Sequence, residues 1–142
     1  MLDAERPAVT VIIAAHAPLA TAMLAGAEAI TGTTSALQVL DLALDEAPAH
    51  YTERLASACA TGSTAVVLAD LYGGTPWQSA VTLMRQTPPV VALLVAGANL
   101  ALVLEAAVGV QQGATLEHIA QQLRTLAPKS IVIQPHGRDG DV

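Results

Sequence analysis

The chain has no phenylalanine, one tryptophan and two tyrosines, so it offers no set of aromatic platforms on which nucleic-acid bases could stack. Basic side chains are equally scarce. Six Lys and Arg against twelve Asp and Glu leave a net charge of −6, which excludes a nucleic-acid binder that lives on phosphate contacts. The one cysteine, Cys59, can form neither an internal disulfide nor a thiolate metal cage, and a reducing cytoplasm is the compartment expected by default. Met1 to Arg6 carry two acids and one base, the wrong sign balance for a signal peptide. The stretch that comes nearest to a membrane span is Val90 to Val110, and Gly97, Asn99, Glu105 and Gly109 interrupt it. Glu105 would sit deep in the hydrocarbon, so strand, turn and helix are the better reading of this stretch.

What is present is apolar and short-ranged. Hydrophobic residues make up 53% and charged residues 13% of 142 positions, enough for one buried core and too apolar for a disordered chain. One domain over residues 1–134 with a frayed tail over 135–142 is expected. Apolar runs of strand length occur at Val9 to Ala14, Ala36 to Leu42, Thr64 to Ala69 and Val90 to Val95, and a last short one at Ser130 to Gln134. Between them lie segments at helical spacing. Pro18 opens one with Leu19, Met23, Ala27 and Ile30 on a common face, and Gly32 closes it. Tyr51, Leu55 and Cys59 repeat every four residues in the next. Thr75 as N-cap with Pro76 at the first helical position starts a third, which runs to about Gln86. Asn99 caps a fourth reaching about Ala107, and Thr115 caps a fifth with Leu116, Ile119, Leu123 and Leu126 inward and Pro128 as its stop. Strand–helix alternation with strands apolar on both faces predicts a doubly wound α/β fold, a parallel sheet covered by helices on each side.

In such sheets chemistry lies beyond the carboxyl ends of the strands, where the winding reverses. His16 ends the first strand there and Asp70 holds the corresponding place after the third. If those strands are neighbours, the carboxylate reaches the imidazole, fixes its tautomer through one ring N–H and leaves the other nitrogen as a nucleophile. Gly73-Gly74-Thr75-Pro76 adds a turn whose backbone can approach a ligand closely, followed by a helix N-terminus with free N–H groups. That is a small anion cradle suited to a phosphoryl group. No G-x-G-x-x-G, Walker lysine, H-E-x-x-H or G-x-S-x-G pattern competes with it. His50, His118 and His136 read as solvated side chains, and Trp77 as either a packing residue or part of a docking surface.

These residues resemble the IIA component of the mannose-type (mannose/fructose/sorbose) sugar phosphotransferase system. The resemblance spans roughly residues 9 to 134 and rests on VIIAAH ending at His16, VVLADLYGGTPWQSA from Val66 to Ala80, and VAGANLALVLE from Val95 to Glu105. It implies four parallel strands with the first and third adjacent. It also implies a fifth, antiparallel strand, Ser130 to Gln134, exchanged between the subunits of a homodimer. It further implies that His16 is phosphorylated by HPr and passes the group to a IIB component, and so indirectly to membrane permease components. Asp70 would orient the ring and Gly73, Gly74 and Thr75 would bind the phosphoryl, with neither metal nor other cofactor required. Thr75 and Trp77 stand where the family usually has Ser and Phe, and Ala101 where Pro is usual. Ala15 and Ala17 replace the usual Ser or Thr and Gly beside the histidine, which keeps open a second reading, a non-catalytic regulatory dimer using the same pocket. A phosphohistidine-type phosphatase is disfavoured, because no Arg or Lys lies between Pro7 and Tyr51 or between Leu55 and Met84.

Overall fold

Valine, isoleucine, leucine and alanine dominate the four apolar runs, and in the computed structural model, which describes residues 8–33, 36–59 and 62–137, these runs are the strands of one sheet. The elements follow in the order β1 (Val9–His16), α1 (Leu19–Thr31), β2 (Leu37–Leu42), α2 (Pro48–Cys59), β3 (Thr64–Ala69), α3 (Thr75–Met84), β4 (Val91–Ala96), α4 (Leu100–Gln111), α5 (Leu116–Leu126) and a 3-10 turn over Ala127–Lys129. The four strands lie in the order β2-β1-β3-β4, and every pairing is parallel. The chain first steps outward from β1 to β2 and then returns to add β3 and β4 on the other side. The winding therefore reverses between β1 and β3, the two central strands.

Alternation along β1 separates the two cores. Val11, Ile13 and Ala15 pack with α1, α4 and α5, whereas Ile12 and Ala14 pack with α2 and α3. Both central strands are buried on both sides, Val11 to Ala15 and Ala65 to Ala69 having no accessible surface. Burying one such Val or Ile side chain is worth about 1.5–3 kcal/mol, so the centre of the sheet is the rigid platform from which the carboxyl-end loops project. On α2 the expected stripe Tyr51, Leu55, Cys59 is the buried one. Burial pushes the Cys59 thiol up to about 11, so it is protonated and inert at neutral pH. The Tyr51 hydroxyl, raised above its usual pKa by burial, donates to Leu40 O at 2.7 Å.

Several boundaries differ from the sequence reading. The buried stripe of α1 is Ala20, Met23 and Ala27; Leu19 and Ile30 are exposed, because a sheet crossed closely by a helix takes the small residues inward. Helix α3 is capped by Gly74, one residue before Thr75, and ends at Met84. Helix α4 runs on to Gln111, its Asn99 cap accepting from Leu102 N–H, and Gly109 lies inside it at a close crossing where a Cβ would come within 2.9 Å of Ile119 Cγ1. The stretch from Val90 to Val110 thus divides into strand, turn and helix, and no helix among the described residues is long and apolar enough to cross a membrane. Pro128 does end the last helix, within the 3-10 turn. Ser130 to Gln134 is not a strand within the single chain. Ile131, Val132 and Ile133 are 70%, 77% and 89% exposed, and among the described residues no strand pairs with the outer edge of β4. Of the expected tail, residues 138–142 lie outside the described residues, as do Met1 to Pro7 at the other end.

Candidate functional site

His16 is the last residue of β1, where the strand leaves the core and its side chain becomes 47% exposed. Asp70 follows the last residue of the adjacent β3, and its N–H donates to Ala14 O at 3.2 Å, which extends the β1–β3 ladder to the rim. The Asp70 side chain is only 9% exposed. Its Oδ2 receives both the His16 backbone N–H at 3.0 Å and a ring hydrogen bond with His16 Nδ1 at 2.9 Å. A carboxylate only accepts, so Nδ1 carries a proton, and in the neutral ring the lone pair is on Nε2. Asp70 Oδ1 is buried with no donor among the described residues.

The third component stands against the far edge of the ring. Asp70 is followed by the turn Leu71-Tyr72-Gly73-Gly74, closed by Gly74 N–H to Leu71 O at 3.1 Å. Gly73 takes φ 82°, a left-handed conformation that glycine adopts without steric cost. Gly74 is needed for a different reason: a Cβ there would lie 3.0 Å from His16 Cε1 and 3.7 Å from Nε2. Its missing side chain lets the start of α3 sit beside Nε2. Because Gly74 is the N-cap, no side chain caps α3, and its first turn carries no acidic residue. The N-terminal N–H groups and the positive end of that helix are thus left for an anion. Of the expected phosphoryl-binding residues, Gly74 lies beside the ring, Gly73 shapes the turn before it, and Thr75 is the half-buried first residue of α3. The Tyr72 and Trp77 rings meet at a tilt of 53° with centroids 4.9 Å apart, and Tyr72 and Leu71 are 76% and 58% exposed, an apolar rim on the turn that follows Asp70.

Sequence reasoning missed the groups on the β2 side. Asp41, the penultimate residue of β2 and opposite Ala15 in the β1–β2 register, accepts from Ala20 N–H at 2.8 Å and Thr21 N–H at 3.3 Å, and also from the Thr21 hydroxyl. Glu46 accepts from Arg54 at 2.7 and 2.9 Å, from Ala43 N–H at 3.2 Å, and bonds His50 Nδ1 at 2.7 Å. Desolvation opposes the charge on Glu46, but the hydrogen bonds from Arg54, Ala43 and His50 outweigh it and hold the carboxyl below its ordinary range. A helix start at Pro18 with no Ser, Thr, Asn or Asp before it, and an acid at the end of an apolar strand, were the available signals for Asp41. The i, i+4 spacing of Glu46 and His50 was the signal for the second group. No cluster of three or more metal-ligating side chains occurs among the described residues.

These features define a class: a doubly wound α/β domain with a histidine–carboxylate pair at its switch point and an uncapped helix N-terminus facing the ring. Within that class the chain belongs to the family described as PTS system fructose IIA component, which matches residues 10–123. The phosphotransferase system component EIIA from Streptococcus agalactiae is similar over 88% of this chain and 96% of its own, with TM-score 0.81 at 21% identity. The mannose/sorbose specific IIA subunit from Enterococcus faecalis is 26% identical, covers 94% of this chain and 98% of its own, and has TM-score 0.78. A sigma-54 interaction domain protein from Enterococcus faecalis shares the fold at TM-score 0.76 and 20% identity, over 89% of this chain and 95% of its own. The comparison with curated proteins gives no match.

Proposed function

We propose that the chain is a phosphocarrier of a sugar phosphotransferase system, with His16 as its acceptor. The observation that carries this reading is the division of labour on one ring: Nδ1 is held by Asp70 at 2.9 Å, while Nε2 faces the Gly74 end of α3. In the forward step the Nε2 lone pair attacks phosphorus in phospho-HPr, and a new P–N bond forms. The old P–N bond breaks and its electron pair returns to the HPr imidazole. The His16 ring gains positive character, which the Asp70 carboxylate stabilises through the Nδ1 proton. The amides of the Gly74-Thr75 turn receive the transferring oxygens. Attack on the same phosphorus by a nucleophile of a IIB component then breaks the P–Nε2 bond and restores neutral His16. Positioning and charge stabilisation supply the catalysis, and the chemistry calls for no metal.

The exposure of the ring supports a protein donor. An enzyme acting on a small molecule encloses most of it in a cleft. Here His16 lies on an open rim flanked by Leu71 and Tyr72, while a cavity of about 530 Å³ lies at the opposite end of the sheet beside Val9, Thr64 and Thr115. The exposed Ile131 to Ile133, and a β4 edge paired with no further strand among the described residues, favour a homodimer in which Ser130 to Gln134 pairs antiparallel with the partner's sheet; light scattering at twice the chain mass is the expected result, and a monomer at all concentrations rejects it. The cytoplasm, where HPr works, is the compartment of this reaction. Incubation with Enzyme I, HPr and labelled phosphoenolpyruvate should label the wild type and leave His16→Ala blank. Equal labelling of both, or of neither, overturns the assignment.

A further inference from the structure

Two helices begin at the rim beside His16, and their N-termini are treated in opposite ways. That of α3 is left open at Gly74. That of α1 is closed, though not by a local residue: its N-cap is Pro18, which has no side-chain acceptor. The cap comes from the neighbouring strand, where Asp41 takes the N–H groups of Ala20 and Thr21 together with the Thr21 hydroxyl.

We infer that Asp41 is a second positioning residue of the phosphoryl site, acting on His16 through α1; this rests on the phosphocarrier reading above. Only Ala17 and Pro18 separate the catalytic ring from the helix. That link is held at three points: His16 N–H on Asp70 at 3.0 Å, Ala17 N–H on Leu42 O at 2.9 Å, and the first turn of α1 on Asp41. Two of the three belong to the last two residues of β2. The end of that strand is itself braced, since Arg54 donates to Asp41 O at 3.1 Å while paired with Glu46. With so short a link, a shift of the helix start moves the ring, and a misplacement of about 1 Å in a reacting group costs up to ~10²-fold in rate. The charge acts in the same direction. A carboxylate on the α1 terminus cancels its dipole, so α3 remains the uncapped helix end next to the ring. An incoming phosphoryl is drawn to the side where Gly74 exposes Nε2.

The test compares the full chain as wild type, Asp41→Ala and Asp41→Asn, by rapid-quench transfer from phospho-HPr and by 15N spectra of the His16 ring. Asp41→Ala should lower the maximal transfer rate about tenfold, with the half-saturating phospho-HPr concentration within about twofold of wild type. Asp41→Asn, which keeps an oxygen for Ala20 N–H, should recover most of the rate, and the ring nitrogen shifts should move in the first variant and return in the second. Asp41→Ala at the wild-type maximal rate, or an unmoved ring signal, overturns the role of Asp41 alone. A wild type that takes no label overturns the phosphocarrier reading and this inference with it. If Asp41→Ala does not fold, Thr21→Val, which removes the hydroxyl bond and keeps the shape, should lower the maximal rate about threefold; an unchanged rate rejects the proposal.

Discussion

Among the described residues two histidine–carboxylate pairs have nearly the same geometry, and the phosphocarrier reading gives them opposite meanings. His16 bonds Asp70 through Nδ1 at 2.9 Å and His50 bonds Glu46 through Nδ1 at 2.7 Å; in each the ring is exposed and the carboxylate is under 10% exposed. The difference lies in what surrounds them. Glu46 is fully engaged: Arg54 neutralises it, Ala43 N–H binds it, and together they tie the β2–α2 loop to α2. Among the described residues Asp70 pairs with no Arg or Lys, and one of its buried oxygens has no donor. Beyond His16 Nε2 stands a glycine at an uncapped helix start. A dyad alone is therefore no signature of chemistry; the far nitrogen must face something that welcomes negative charge.

The comparison breaks most sharply at the rings themselves. His16→Ala should abolish phosphoryl labelling, and His50→Ala should label as wild type, both read by autoradiography; loss of label in both variants would make the pairs equivalent. Next come the carboxylates. Asp70→Asn should fold normally and slow transfer by about 10²-fold, because the amide no longer sets the tautomer, whereas Glu46→Gln should transfer within about twofold of wild type. Unchanged kinetics in Asp70→Asn would remove that residue from the mechanism. A smaller effect is expected from Gly74→Ala, whose φ of −71° suits alanine but whose Cβ presses on His16 Cε1 at 3.0 Å. A roughly tenfold slower transfer at an unaltered melting temperature is expected, and a wild-type rate would mean that the ring does not need that space.

The mildest contrast is with pH. Glu46 titrates below its ordinary range in the folded chain, so it binds fewer protons there than when unfolded. Its contribution to stability is therefore complete above the ordinary carboxylate pKa and is lost as pH falls through the depressed folded value. Melting curves of wild type and Glu46→Gln should differ at neutral pH and converge in acid; a gap that widens in acid would reverse the sign of the argument.

Much of this was legible in the sequence because the relevant signals are local. Apolar runs bounded by Gly and Pro marked all four strands, Asn99 and Thr115 capped the helices expected of them, and the order of elements put His16 and Asp70 at the same rim. What escaped depends on neighbours distant in sequence. Asp41 caps a helix twenty-one positions away, which only the β1–β2 register reveals. The inward face of α1 depends on how closely the sheet approaches it, and so Ala20 displaced Leu19 from the stripe. Ser130 to Gln134 has strand composition but is not part of the sheet formed by the described residues, since composition alone does not specify pairing.

The buried Asp70 contact has a kinetic corollary. With Nδ1 occupied on the core side and Gly74 packed close to the ring, this imidazole has a single doorway. On the phosphocarrier reading proposed above, whoever delivers cargo and whoever collects it must stand on the same step, so the two visitors exclude each other. Such a carrier would run as a turnstile: exchange would proceed by alternate visits, the first protein leaving before the second arrives, and a surplus of either one in its empty form would obstruct the queue.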